Sequence, residues 1–172
     1  MALRNPIIPG HNPDPTIIRD GEDYFLVTST FEYFPGLPIY QTRDLANWNL
    51  IGHALDRPSQ LHMRTVETGG GIFAPSLRRW KGRFYIACTA MYRVPNMENF
   101  TNVSVPGFYQ GTSCQGFLKL TKQGMVPPRG FYVWTDDIRG GNWSDPVYFD
   151  TVGIDQDVRY QCPEVFTLKA DL

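Results

Sequence analysis

Cysteine is scarce in this chain, with three in 172 residues. Cys88, Cys114 and Cys162 are odd in number and widely spaced, which excludes a disulfide framework and a CxxC metal site. Cys88 lies in an apolar run and reads as a small buried hydrophobe. Charge is also thin, at 19% of residues with a net charge of −1. No block of like charge is present, so nothing favours nucleic acid as a partner. No apolar run approaches membrane-spanning length, and no membrane partner is expected. The opening Met1-Ala2-Leu3-Arg4-Asn5-Pro6 is too polar for the apolar region of a signal peptide. The cytoplasm is therefore the default location, although a lost first exon would look the same. Sequons at Asn99, Asn102 and Asn142 matter only in a secreted chain. His11, His53 and His62 lack metal-ligand spacing, and no Gly-rich phosphate loop or Ser-His-Asp set occurs. Neither a metal nor a cofactor is expected. Amphipathic helical periodicity is missing too; Arg43–Trp48 has room for a single turn.

Aromatic residues are plentiful, at 14%, and 42% of the chain is apolar. Short runs rich in β-branched and aromatic residues stand at Tyr24–Thr30, Leu37–Gln41, Trp48–Ile51, Arg83–Thr89, Gly130–Thr135 and Val147–Phe149. Gly, Pro, Asn and Asp separate them. The pattern is all-β. It also repeats. Gly21-Glu22-Asp23-Tyr24-Phe25, followed later by Asp44-Leu45-Ala46-Asn47-Trp48, has a counterpart in Lys81-Gly82-Arg83-Phe84-Tyr85. There the later part is Asp136-Asp137 and Gly141-Asn142-Trp143. Each unit reads as turn, aromatic strand, long connection, strand, acidic turn, Trp, strand. Radially repeated sheets give such recurrence, and so does a β-sandwich of similar hairpins. The second unit is longer because of residues between Met91 and Arg129. Within it, Gly107–Arg129 lacks strand alternation and reads as an inserted segment, a lid, or foreign sequence.

Near the amino end, Asn12-Pro13-Asp14-Pro15-Thr16 sets one carboxylate between two prolines. Both restrict the residue before them to extended geometry, so Asp14 sits on a stiff turn entering a strand-like Thr16-Ile17-Ile18. A carboxylate held this firmly suits a general base, which needs fixed geometry first. An ordinary Asx-type turn is the other reading.

The order of several unusual blocks resembles glycoside hydrolase family 43, in its β-xylosidase and α-L-arabinofuranosidase branch. These blocks are His11-Asn12-Pro13-Asp14-Pro15, Ser29-Thr30-Phe31-Glu32-Tyr33-Phe34-Pro35-Gly36, Arg43-Asp44-Leu45-Ala46-Asn47-Trp48 and Ile51-Gly52-His53-Ala54-Leu55. The likeness runs through residues 4–95 and resumes from Phe131 to about Asp157; Gly107–Arg129 and a tail, Val158–Leu172, depart from it. The resemblance implies a five-bladed β-propeller that cleaves glycosidic bonds with inversion. A chain of this length holds about two blades and the start of a third, with sheet edges left open.

The resemblance also assigns roles. Asp14 falls at the general base, and Asp155, in Gly153-Ile154-Asp155, at the residue that tunes the pKa of the acid. Phe31 matches a substrate-subsite aromatic, and Phe73 takes the place where the family usually has Trp. Core burial is the other reading of both rings. No position matches the family's general acid, a Glu well downstream. Glu164 stands too close to Asp155, and in Gln161-Cys162-Pro163, which is similar to the Glu-Cys-Pro motif of fructan-cleaving propellers, Gln161 takes the acid's place. The expected partner is a small xylo- or arabino-oligosaccharide, with little turnover by this chain alone. Alternatives are a non-catalytic carbohydrate-binding propeller fragment and a partial gene product.

Overall fold

The computed structural model describes residues 4–61, 63, 66, 68–91, 129–152, 154–162 and 165–171. Most of Gly107–Arg129, together with His62, Asn99, Asn102, Cys114 and Glu164, lies outside them; Arg129 itself opens a strand. Ten strands and no helix occur among the described residues. They are β1 (Thr16–Asp20), β2 (Asp23–Val27), β3 (Gly36–Thr42), β4 (Asn49–Leu55), β5 (Gly71–Trp80), β6 (Arg83–Met91), β7 (Arg129–Thr135), β8 (Val147–Val152), β9 (Ile154–Cys162) and β10 (Val165–Asp171). Arg43–Trp48 is a set of bends, because Asp44 takes up the backbone amides of Ala46 and Asn47 at 2.9 and 2.8 Å and turns the chain back early. Those bonds hold the Asp44 carboxyl well below the usual carboxylate range.

Two four-stranded antiparallel meanders form, β1-β2-β3-β4 and β5-β6-β7-β8, and β9 pairs with β10. The repeat read from sequence is this pair of sheets. Gly21 and Lys81-Gly82, at positive φ, make the tight turns that open each unit. The first strands of successive units lie side by side, β1 against β5 and β5 against β9. That is a blade arrangement, not a sandwich. One core runs through both sheets. Phe25, Val27, Leu37 and Leu55 of the first pack with Ile72, Leu77, Ile86 and Phe131 of the second, all buried. No strand is expected over 71–80 from the sequence, yet these residues form the longest strand among the described residues. Their mixed Gly, Pro and Arg content hides a strand buried on the seam between blades.

Two polar clamps join the sheets. Gln60 is 2% exposed. Its carbonyl accepts the Asp56 and Arg57 amides, and its NH2 donates to Ala54 O and Ser144 O at 3.1 and 3.0 Å. At the end of β1, Asp20 pairs with Arg79 of β5 at 2.8 Å. Beside it, buried Asp23 is held by Arg43 and by Arg139, whose guanidinium also lies 4.7 Å from the Phe25 ring centre. Arg43 first, then Arg139, hold the Asp23 carboxyl down at about 2.

Candidate active site

At the other end of β1, roughly 13 Å away by the rise of its four residue steps, the Asn-Pro-Asp-Pro turn is fixed from both sides. Asn12 donates to Pro9 O at 3.2 Å and accepts from the Tyr40 hydroxyl at 3.2 Å. Asp14 itself has φ 52°, a left-handed conformation and not the extended one expected before a proline; the bonds that Ser29 makes to Pro13 O and to the Asp14 carboxylate hold it there. Its carboxylate is not spent on an Asx turn. Oδ2 accepts from the Ser29 hydroxyl at 2.6 Å, fifteen residues along the chain. Among the described residues Oδ1 has no partner, and Asp14 is exposed.

Ser29 is reached from the second blade as well. The Ala74 amide donates to its Oγ at 2.7 Å. This amide is available because β5 bulges: Phe73 faces Thr89 and Ser76 faces Ala87, so β5 advances three residues while β6 advances two. The bulge also frees the Phe73 carbonyl, which accepts the Cys88 thiol at 3.0 Å. Cys88 is buried as expected, yet it has this further task. Burial pushes its thiol pKa up, so it stays protonated and keeps donating.

Phe31 and Phe73 come together from the two blades. Their ring centres are 4.4 Å apart with planes tilted by 50°, and the His11 ring lies 5.5 Å from Phe31. Both phenylalanines are half-buried rather than sealed in the core. The pair is held by backbone: Phe31 N donates to Ile72 O and Ile72 N to Phe31 O, each at 3.0 Å. Glu32 accepts the Gly69 amide at 3.2 Å and fastens the same loop.

Asp155 is the second residue of β9. Two residues on, Asp157 receives the Ser76 hydroxyl and pairs with Arg78 at 2.8 Å, which ties β9 to β5. The structure thus joins Asp14, Phe31 and Phe73 through Ser29 and the bulge, and places the Asp155 backbone on β9, the strand beside β5. Sequence reasoning missed Ser29, because a serine at a strand end carries no signal until its partner across the blade is known. A groove of about 410 Å3 lined by Asp23, Gln41, Thr42, Arg43 and Asp44 opens at the far end of β1. Its charged groups are committed to ion pairs and turn bonds.

Residues 3–161 match glycosyl hydrolases family 43. The chain belongs to this family. Among curated family 43 relatives, the non-reducing end alpha-L-arabinofuranosidase BoGH43B of Bacteroides ovatus is 43% identical over 143 residues, covering 83% of this chain and 23% of that protein. A xylan 1,3-beta-xylosidase of a Vibrio species is 40% identical, over 90% of this chain and 24% of its own. The crystal structure of a xylan beta-1,4-xylosidase from Bacillus halodurans superposes with a TM-score of 0.70 at 33% identity, covering 92% of this chain and 25% of that one. This family 43 chain therefore spans about a quarter of the length of these relatives. Its two sheets correspond to part of their five-bladed propeller.

Proposed function

We propose that this family 43 chain supplies one flank of an inverting glycosidase site for xylo- or arabino-oligosaccharides, with Asp14 as general base. Inversion requires a water activated on one face of the sugar while an acid protonates the leaving oxygen on the other, the two carboxyl groups roughly 6.5–9.5 Å apart. One observation carries the reading: Asp14 is exposed with Oδ2 anchored to Ser29 and Oδ1 open. A base needs that combination, a fixed direction together with a free lone pair facing solvent. Asp155 is assigned the role of modulating the acid's pKa. The half-buried Phe31 and Phe73 rings are assigned as walls on which the C–H face of the sugar packs. The names of the relatives, xylosidase and arabinofuranosidase, motivate the sugar class. Residues 1–172 are taken as part of one propeller domain, with 107–129 inserted and 158–172 a divergent tail.

No position in the chain matches the general acid, which suggests a direct test. A glycosyl fluoride has a leaving group that departs without protonation. With β-D-xylopyranosyl fluoride, water attacks C1, its proton passes to Asp14, the C1–F bond breaks and α-xylose is released. The chain should turn over this fluoride and lose the activity on Asp14→Ala. It should hydrolyse xylobiose, whose sugar leaving group needs a proton, at least about 100-fold more slowly than a complete enzyme, since a general acid contributes about 10²–10⁴. Fluoride turnover that survives Asp14→Ala overturns the reading. Saturable xylobiose binding without fluoride turnover makes the chain a carbohydrate-binding unit instead.

A further inference from the structure

Ser29 is 1% exposed, and its backbone amide, its hydroxyl proton and its hydroxyl oxygen are all engaged across the site. Its backbone amide donates to Pro13 O at 3.0 Å. Its hydroxyl oxygen accepts the Ala74 amide at 2.7 Å, and its hydroxyl proton goes to Asp14 Oδ2 at 2.6 Å. We propose that Ser29 is a positioning residue that dictates which oxygen of Asp14 takes the proton from water; this rests on the reading of Asp14 as the base.

The direction of the relay follows from what each group can do. A backbone N–H only donates, so Ala74 must take a lone pair of the Ser29 hydroxyl. A carboxylate only accepts, so the single hydroxyl proton must point at Asp14. The sequence Ala74 N–H to Ser29 O–H to Asp14 Oδ2 has no reverse form while Asp14 is ionised. The 2.6 Å contact has the length of a charge-assisted O–H···O⁻ bond. Oδ2 is thereby committed, and Oδ1 is left as the oxygen that faces water.

The backbone around the relay points the same way. Asp14, Phe31 and Ala74 have φ of 52°, 52° and 45°, all in the left-handed region. Such residues cost on the order of 1–3 kcal/mol each and persist where surrounding bonds over-determine them. Ser29 supplies those bonds to two of the three segments. It holds the peptide before Asp14, the Asp14 side chain and the Ala74 amide of the neighbouring blade. Without the hydroxyl, the carboxylate is free to turn, and a base displaced by about 1 Å loses up to about 100-fold in rate.

Steady-state hydrolysis of β-D-xylopyranosyl fluoride by the full chain tests this, with Ser29→Ala, Ser29→Thr and Asp14→Ala compared. Ser29→Ala is expected to lower kcat by about 10- to 100-fold with KM unchanged, because the Phe31–Phe73 walls stay in place. Ser29→Thr, which keeps a hydroxyl, is expected to restore most of kcat; a merely structural serine would show neither the kcat-only loss nor the rescue. Unchanged kcat in Ser29→Ala while Asp14→Ala is inactive overturns the inference and leaves the base assignment standing. Full turnover in Asp14→Ala overturns the base assignment, and this inference with it. A crystal structure of Ser29→Ala adds a readout that needs no turnover. An Asp14 carboxylate spread over more than one rotamer supports the inference, and one held in its original rotamer overturns it.

Discussion

A β-carbon added to Gly71 would stand 1.9 Å from the carbonyl oxygen of Phe31. The backbones of the two blades are that close, and Gly71 has φ 101°, which side-chain-bearing residues avoid. Gly71→Ala should therefore push Phe31 off Ile72 and destabilise the chain by at least about 2 kcal/mol. Urea unfolding monitored by fluorescence measures the loss.

The tilted pair of rings gives a second prediction. Phe73→Ala removes one wall, and aromatic contacts of this kind are worth about 0.5–1.5 kcal/mol. The Kd for xylobiose should rise by roughly 2- to 12-fold, measured by calorimetric titration, with a smaller change in unfolding midpoint than Gly71→Ala produces.

Acid should loosen the far clamp. The Asp23 carboxyl is held at about 2 in the folded chain, by Arg43 first and then Arg139, below its unfolded value near 3.8. A carboxyl depressed by folding adds stability that is complete above the unfolded pKa and is lost as pH falls through the folded one. Stability should thus decline between about pH 4 and pH 2. Asp23→Asn should flatten that decline in denaturant melts taken across the range.

Gln60 is the fourth test. Substitution by Leu leaves the Ala54 and Ser144 carbonyls without their donors, and an unmet buried group costs about 1–3 kcal/mol. Gln60→Leu should lower stability by about 2 kcal/mol without changing fluoride turnover.

Much of this architecture was legible beforehand, for local reasons. Tyr24-Phe25-Leu26-Val27 and Phe84-Tyr85-Ile86-Ala87 announce strands because β-rich runs follow tight turns. The recurrence of Trp48 and Trp143 marks the two units. The proline-flanked Asp14 stands out because two rigid neighbours fix it. What stayed hidden depends on contacts distant in sequence. The strand at 71–80 contains a bulge, and its Pro75 and paired arginines break any alternation. Ser29, Gln60 and Asp157 acquire meaning only from partners 45, 84 and 81 residues away. For Phe31 and Phe73 the sequence leaves both core burial and a subsite role open; the structure shows both rings half-buried.

Pro75 has one last implication. It follows Ala74 inside the bulge and carries no N–H, so the strand cannot slide back into even pairing to heal the defect. The irregularity is written into the covalent chain instead of resting on a balance of weak forces. Substitution of the surrounding residues would leave the kink where it is, and the amide beside it keeps its aim across the seam.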